Sequence, residues 1–329
     1  MSSMKPVRLR DMVKFRECYF SVVSYFNDES VRCLLRYVPE KLYTEVMGSK
    51  PYGEKVRETR AGRYVKLDHD EALNFFPEYV GEGIFHLPPN KVEVFKPEVL
   101  APELAKRDET LRKVYDLFSA PEKGVTGSRL IGLNSESSDV DFVVYGKWFE
   151  KAREELREHV KTGRVDEPGE EEWKKIYRKR RPAVDFDTFV MHEERKYHRG
   201  FVGETYFDLL YVRDYESLRK FPEFRGVKAG TVELEGVVVD DSAIFDYPAR
   251  YPLKDVRILE LDESIGEVRV NEVLSFTHTY VGQAFRGERI RAYGVLEVLK
   301  AGGKYVGKVI VGTRRVSDEY VVSLVLVGF

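Results

Sequence analysis

Residues Gly124–Gly146 read GVTGSRLIGLNSESSDVDFVVYG, and the reading of the whole chain turns on this stretch. Gly127-Ser128 closes a short strand, ten residues intervene, and Asp139-Val140-Asp141 opens a second strand that turns apolar through Phe142–Val144. On extended backbone, side chains two apart face the same side, so the carboxylates of Asp139 and Asp141 lie together. Two like charges side by side are costly unless a cation sits between them. Hard, oxygen-ligated divalent ions such as Mg²⁺ (or Mn²⁺) suit that pair. Gly127 lets backbone approach a ligand closely, and the Ser128 hydroxyl beside free amides suits a phosphate.

Outward from this stretch, Leu104, Leu111, Val114, Tyr115 and Phe118 supply a helical stripe before it. Lys147–Thr162 follows it as a helix, with Trp148, Ala152, Leu156 and Val160 on one face. A second helix is expected after Pro168-Gly169, then strands at Ala183–Met191 and Thr205–Val212. Upstream, Arg16–Phe26 and Val31–Val38 flank Asn27-Asp28-Glu29-Ser30 as a hairpin. A short strand at Tyr64–Leu67 and a helix opened by Asp68 or Asp70 follow. Pro88-Pro89-Asn90 and the prolines at 97 and 102 mark a connection. Beyond Gly226, short β-like runs at Thr231–Val239, Val268–Phe276, Arg289–Leu299, Lys304–Val311 and Tyr320–Val327 predict a small all-β barrel or sandwich.

The Gly-Ser pair, the ten-residue interval and the Asp-x-Asp on the next strand resemble the polymerase-β-type nucleotidyltransferase superfamily, over roughly residues 104–215. With the pattern of the flanking regions, the chain is expected to take an α+β fold in three parts. An N-terminal α+β unit spans 1–103, a nucleotidyltransferase core with a mixed sheet and helices spans 104–225, and a C-terminal all-β, OB-like barrel spans 226–329. The resemblance implies transfer of a nucleotide from an NTP to an acceptor hydroxyl with pyrophosphate release. Gly127, Ser128 and Arg129 would hold the nucleotide, and Asp139 and Asp141 would bind metal. The superfamily also uses a third carboxylate on a later strand. Asp208, a single acid in the apolar run Tyr206–Val212, is favoured over Asp187 and Asp185, which alternate in Ala183–Val190.

Candidate acceptor or phosphate contacts are Arg195, Lys196 and Arg199, with the basic run Lys174–Arg181 before them. In the C-terminal region, residues 226–280 carry five Lys/Arg against eleven Asp/Glu, and 281–329 carry eight against four. Arg286, Arg289, Arg291, Arg314 and Arg315 are therefore candidates for holding an RNA acceptor, a tRNA or another structured RNA. Two other readings stay open: a nucleic-acid-binding protein with a retired transferase site, and a transferase that modifies protein or a small molecule.

Composition sets bounds on all of this. The 329 residues carry 54 Lys+Arg against 56 Asp+Glu, so nucleic-acid contact has to come from local clusters, not overall charge. At 43% hydrophobic residues the chain can bury cores. No apolar run is long enough for a bilayer, and MSSMKPVRLRDM lacks the core of a secretory signal. Cys18 and Cys33 are too few for a disulfide framework or a four-ligand zinc site, which leaves a reduced, cytoplasmic protein as the expectation. Charged residues at 33%, with one glutamine and five asparagines, fit a thermophile.

Overall fold

A computed structural model describes residues 5–59, 62–135, 138–261, 268–301, 304–313 and 318–327. The chain divides into two compact units, each assembled from two segments: residues 1–166 with 199–221, and residues 167–198 with 222–329. The N-terminal region and the Asp-x-Asp strand thus share the first unit, and the barrel region takes in residues 167–198. Among the described residues, no helix is long and apolar enough to cross a membrane.

The first unit begins with β1 (Met12–Phe15), β2 (Cys18–Val22), β3 (Val31–Pro39), α1 (Glu40–Met47), β4 (Val56–Thr59), β5 (Gly62–Lys66), α2 (His69–Ala72), β6 (Val80–Gly81), β7 (Ile84–Leu87) and β8 (Glu93–Phe95). Its strands form an antiparallel sheet in the order β4-β5-β3-β2-β1-β8, with β7 also on β3 and β6 on β7. The expected hairpin is β2 paired with β3. Alternation does the folding here: Val31, Cys33 and Leu35 point into one core with Phe20, Val22 and Phe85. Asp68 opens α2 through a reciprocal capping box with Glu71.

A β-bulge breaks that alternation. Tyr19 pairs with Tyr37 but Phe20 pairs with Leu35, which leaves Arg36 as the extra residue of β3. Val38 then returns to the main core, while Tyr37 joins Tyr64 and Leu133 in a separate cluster. Arg36 and Tyr37 are therefore both turned from the main core, toward the segment that follows the Gly-Ser pair.

The part of the unit that carries the Asp-x-Asp stretch contains α3 (Pro97–Arg107), α4 (Glu109–Tyr115), β9 (Lys123–Val125), β10 (Val140–Tyr145) and α5 (Trp148–Lys161). After α6 (Glu170–Arg180) and α7 (Phe186–Glu194), which belong to the second unit, it resumes with β11 (Arg199–Val202) and β12 (Thr205–Val212). Its sheet runs β11-β12-β10-β9, with β10 and β12 parallel and the outer pairs antiparallel. Phe142 stacks on Phe118 beneath it. Pro97 opens α3 and Pro102 lies inside it, so these prolines sit in a helix and not in the expected connection.

The strand expected at Ala183–Met191 is instead α7. Asp185 is its N-cap, accepting from the Thr188 N–H at 2.9 Å. Phe186 and Phe189, three apart, pack on Tyr177 of α6, and Phe189 also meets Trp173. Capping and a helical apolar spacing outweighed the β-propensity of the run.

The second unit continues with β13 (Val227–Val238), β14 (Ala249–Leu261), β15 (Arg269–Ser275), β16 (Arg289–Ala301), β17 (Lys304–Val311), β18 (Tyr320–Ser323) and α8 (Leu324–Val327). Strands pair in the order β13-β14-β15-β17-β16, and β13 pairs back onto β16, which closes a five-stranded barrel. The β15–β17 pair is parallel and the rest are antiparallel, the 1-2-3-5-4-1 order of an OB barrel. Its membership differs from expectation. The sequence reading passed over β14, whose run ARYPLKDVRILEL is interrupted by Pro252 and by charges. The run from Tyr320 forms only the short β18, which pairs with β16 beside the barrel, before turning helical.

Candidate active site

Asp141 and Asp208 are direct register partners on the adjacent parallel strands β10 and β12. Partners in register point to one face of the sheet, and neighbouring strands stand about 4.8 Å apart, so the two carboxylates are neighbours. Asp141 is partly buried, and Asp139, just before β10, is exposed. Burial first, then the charges of Asp208 and Asp139, push the Asp141 carboxyl up to about 6, against the opposing pull of Arg10 and Arg36.

The turn after β9 closes on this pair. Thr126 N–H donates to the Asp141 carbonyl at 2.9 Å, and Gly127 follows at φ +69°. A Cβ on Gly127 would stand 2.9 Å from Asp141 Oδ2. Glycine is needed twice over, for its backbone angle and for the carboxylate packed against it. The Ser128 carbonyl accepts from Leu133 N–H at 2.9 Å, and Leu133 packs with Tyr37.

Arg129 is placed differently from the nucleotide contact expected of it. Its guanidinium is buried, pairs with Asp108 at 2.6 Å and donates to the carbonyls of Ser138 (2.6 Å) and Asp139 (3.2 Å). It therefore fixes the backbone on which Asp139 stands. Asp108 is itself anchored, since its other oxygen caps α4 at Leu111 N–H.

Asp208 has company that the sequence did not announce. Tyr206, two residues earlier on the same face, donates its hydroxyl to Asp208 Oδ1 at 3.0 Å. Arg199, opposite Asp208 across the β11–β12 pair, places Nε 3.6 Å from the same oxygen and donates to the Tyr206 hydroxyl at 3.1 Å. Of the candidate contacts Arg195, Lys196 and Arg199, Arg199 is the one paired with a site acid. Arg195 pairs with Glu288 at 2.7 Å, and Lys196 is buried in an ion pair with Glu193. Asp185 and Asp187 stand at the start of α7, in the second unit, whereas Asp141 and Asp208 belong to the sheet of the first.

Two of the six basic residues in the run Lys174–Arg181 pair with the acids that open the helix. Lys174 pairs with Glu170 (2.8 Å) and Glu171 (2.9 Å), and Lys175 with Glu172 (3.6 Å). On the barrel, Arg291 makes two contacts to Glu235 Oε1, at 2.7 and 3.1 Å. Arg286 is exposed, Arg289 opens β16 half-buried, and Arg314 and Arg315 lie outside the described residues.

Sequence reasoning missed Arg10, Arg36, Tyr37 and Tyr206. Tyr206 was detectable, because strand periodicity puts it beside Asp208. The other three come from the N-terminal sheet, about a hundred residues from Asp141, and no local spacing links them to it.

Among the described residues, no three carboxylates, thiols or imidazoles gather closely enough to form a metal cage on their own. Mg²⁺ does not require one: it is commonly held by one or two carboxylates together with substrate phosphates. A neighbouring pair of acids, one with its carboxyl raised by burial and then by the acid beside it, next to a turn suited to phosphate, fits that mode.

Residues 108–236 match the nucleotidyltransferase domain family. An uncharacterized protein of the archaeon Methanocaldococcus jannaschii is 32% identical over 347 residues, covering 96% of this chain and 98% of its own length. No solved structure matches the chain. The spacing read in Gly124–Gly146 thus falls on a matching domain inside a chain alike to its relative from end to end, and the protein belongs to the polymerase-β-type nucleotidyltransferase superfamily.

Proposed function

We propose that the protein moves a nucleotide from an NTP to an acceptor hydroxyl, with Mg²⁺, and releases pyrophosphate. The observation that carries this reading is the in-register pairing of Asp141 with Asp208, with the Gly127 turn packed on Asp141. Asp139, Asp141 and Asp208 are the proposed metal-holding acids, and the backbone at Gly127-Ser128 is the proposed cradle for phosphate. Bound Mg²⁺ would offset phosphate charge and make the acceptor hydroxyl easier to deprotonate. Arg129 holds the backbone of Asp139 in place, and Tyr206 with Arg199 orients Asp208.

RNA is the favoured acceptor. The closed OB-order barrel supports it, since such barrels commonly carry single-stranded nucleic acid on a basic, aromatic face. Arg286 and Arg289 are the barrel residues proposed to contact phosphate, because Arg291 is already engaged by Glu235. Pyrophosphate release measured with each NTP, Mg²⁺ and total RNA tests the reading. Release that requires both NTP and RNA supports it, and no release with any NTP rejects it.

One observation favours a second reading, a nucleic-acid-binding protein with a retired site. Arg199 already stands beside Asp208 and offsets part of its charge. That reading predicts RNA binding that persists in EDTA, together with no NTP turnover.

A further inference from the structure

Besides Arg199, two basic residues whose charges act on Asp141, Arg10 and Arg36, come from the N-terminal region, to which the transferase motif assigns no role. Arg36 lies on the side of β3 turned from the main core, and the bulge keeps Tyr37 on that same side instead of letting it alternate inward. Bulges re-aim side chains, and they recur beside active sites. Tyr37 packs with Leu133 and Ile131, which places this side of β3 against the segment that follows the Gly-Ser pair. Arg36 is half-buried and is in ion-pair contact with no carboxylate among the described residues, yet its charge is felt at Asp141. Its guanidinium donors are therefore not consumed by a salt bridge.

Arg10 approaches the same acids from the start of β1. It sits at φ +71°, a conformation that side-chain-bearing residues adopt reluctantly. Two contacts hold it there: its N–H donates to the Val22 carbonyl at 3.1 Å, and its carbonyl accepts from Thr126 Oγ1 at 2.6 Å. Thr126 immediately precedes the Gly-Ser pair, so the strained residue is tied directly to the turn. Strain of this kind persists where surrounding structure enforces it, often at functional sites.

We propose that the N-terminal sheet is the phosphate wall of the transferase site, with Arg36 and Arg10 gripping the polyphosphate tail of the nucleoside triphosphate. The proposal rests on the transferase reading above. Clustered acids repel a triphosphate, and a metal offsets only part of that repulsion. Two guanidinium groups on the opposite wall supply further positive charge and paired donors that match phosphate oxygens. The sheet thereby becomes part of the site, and the tail is fixed whatever base the nucleotide carries.

The test is calorimetric titration of the full-length protein with inorganic tripolyphosphate, and with each NTP, in Mg²⁺. Arg36→Gln is expected to weaken both by about tenfold or more, the scale of a lost charge-assisted contact. Arg36→Lys is expected to fall between it and wild type. Arg63→Gln, an exposed residue of the same sheet already paired with Glu40 and Glu58, should change nothing. Thermal melting checks that the variants fold. Unchanged tripolyphosphate affinity in folded Arg36→Gln overturns the proposal and leaves the arginine as a mere counter-charge to the acids. Weakened RNA binding with intact tripolyphosphate binding overturns it as well, because the wall would then serve the acceptor. Wild-type protein that binds neither tripolyphosphate nor any NTP rejects the transferase reading itself, and the proposal with it.

Discussion

Replacing Asp141 by asparagine should make the metal-free protein more stable while removing activity. The carboxyl is lifted from 3.8 to about 6, chiefly by burial and then by Asp208. Between pH 4 and 6 the folded state therefore holds a proton that the unfolded state has lost, and stability falls as pH rises through that window. The full cost at neutral pH is about 3 kcal/mol. Solvent at the open side of the site screens part of it, so a gain of about 1–3 kcal/mol is expected for Asp141→Asn. Asparagine keeps the shape of the side chain without the charge. The assay is urea unfolding in EDTA from pH 4 to 8, comparing midpoints of wild type and variant. The two should coincide near pH 4 and diverge above pH 6, the variant being the more stable. Added Mg²⁺ should raise the wild-type midpoint and leave the variant behind. A variant less stable than wild type at pH 7, or a difference independent of pH, would refute the cost of a buried charge beside Asp208 on which this reasoning depends.

Gly127→Ala forces a Cβ to 2.9 Å from Asp141 Oδ2 at φ +69°. It should cost about 1–2 kcal/mol in urea unfolding and lower turnover by displacing the carboxylate. Arg129→Ala strands Asp108 and two loop carbonyls. A loss of about 2–4 kcal/mol is expected, with a fall in kcat exceeding any change in NTP affinity. His192 is buried, takes the Ser323 N–H on Nε2, and has its imidazole pushed down to about 4 by burial. It remains neutral when folded but takes up a proton on unfolding below pH 6.5. The second unit should therefore lose about 3 kcal/mol as pH falls from 6.5 to 4, and His192→Gln should flatten that dependence in pH-resolved melting.

The parts of the protein that could be read from sequence are those whose determinants lie close together. Gly127, Ser128 and Asp141 lie within fifteen residues, and turn chemistry with strand period two brings them together. The β2–β3 hairpin and α5 were legible for the same reason. Ala183–Met191 was misread because Phe186, Phe189 and Val190 suit a strand, while the deciding contacts, with Trp173 and Tyr177, come from the preceding helix. The second strand of the barrel was hidden by Pro252 and a charged stretch that barrel pairing tolerates. Arg10 and Arg36 carry no local signal at all. The outer side of β3 and a left-handed residue aim them, and their target lies about a hundred residues further along the chain.

The most direct test of the central claim is incubation of the protein with each α-³²P-labelled NTP, Mg²⁺ and total RNA, followed by separation of RNA, protein and small molecules. The account predicts label in RNA, matched by released pyrophosphate, and no label when Asp139→Asn or Asp141→Asn replaces the wild type. Label confined to protein or small molecules would contradict the proposed acceptor. No label in any fraction, or undiminished label with both variants, would contradict the assignment of the site.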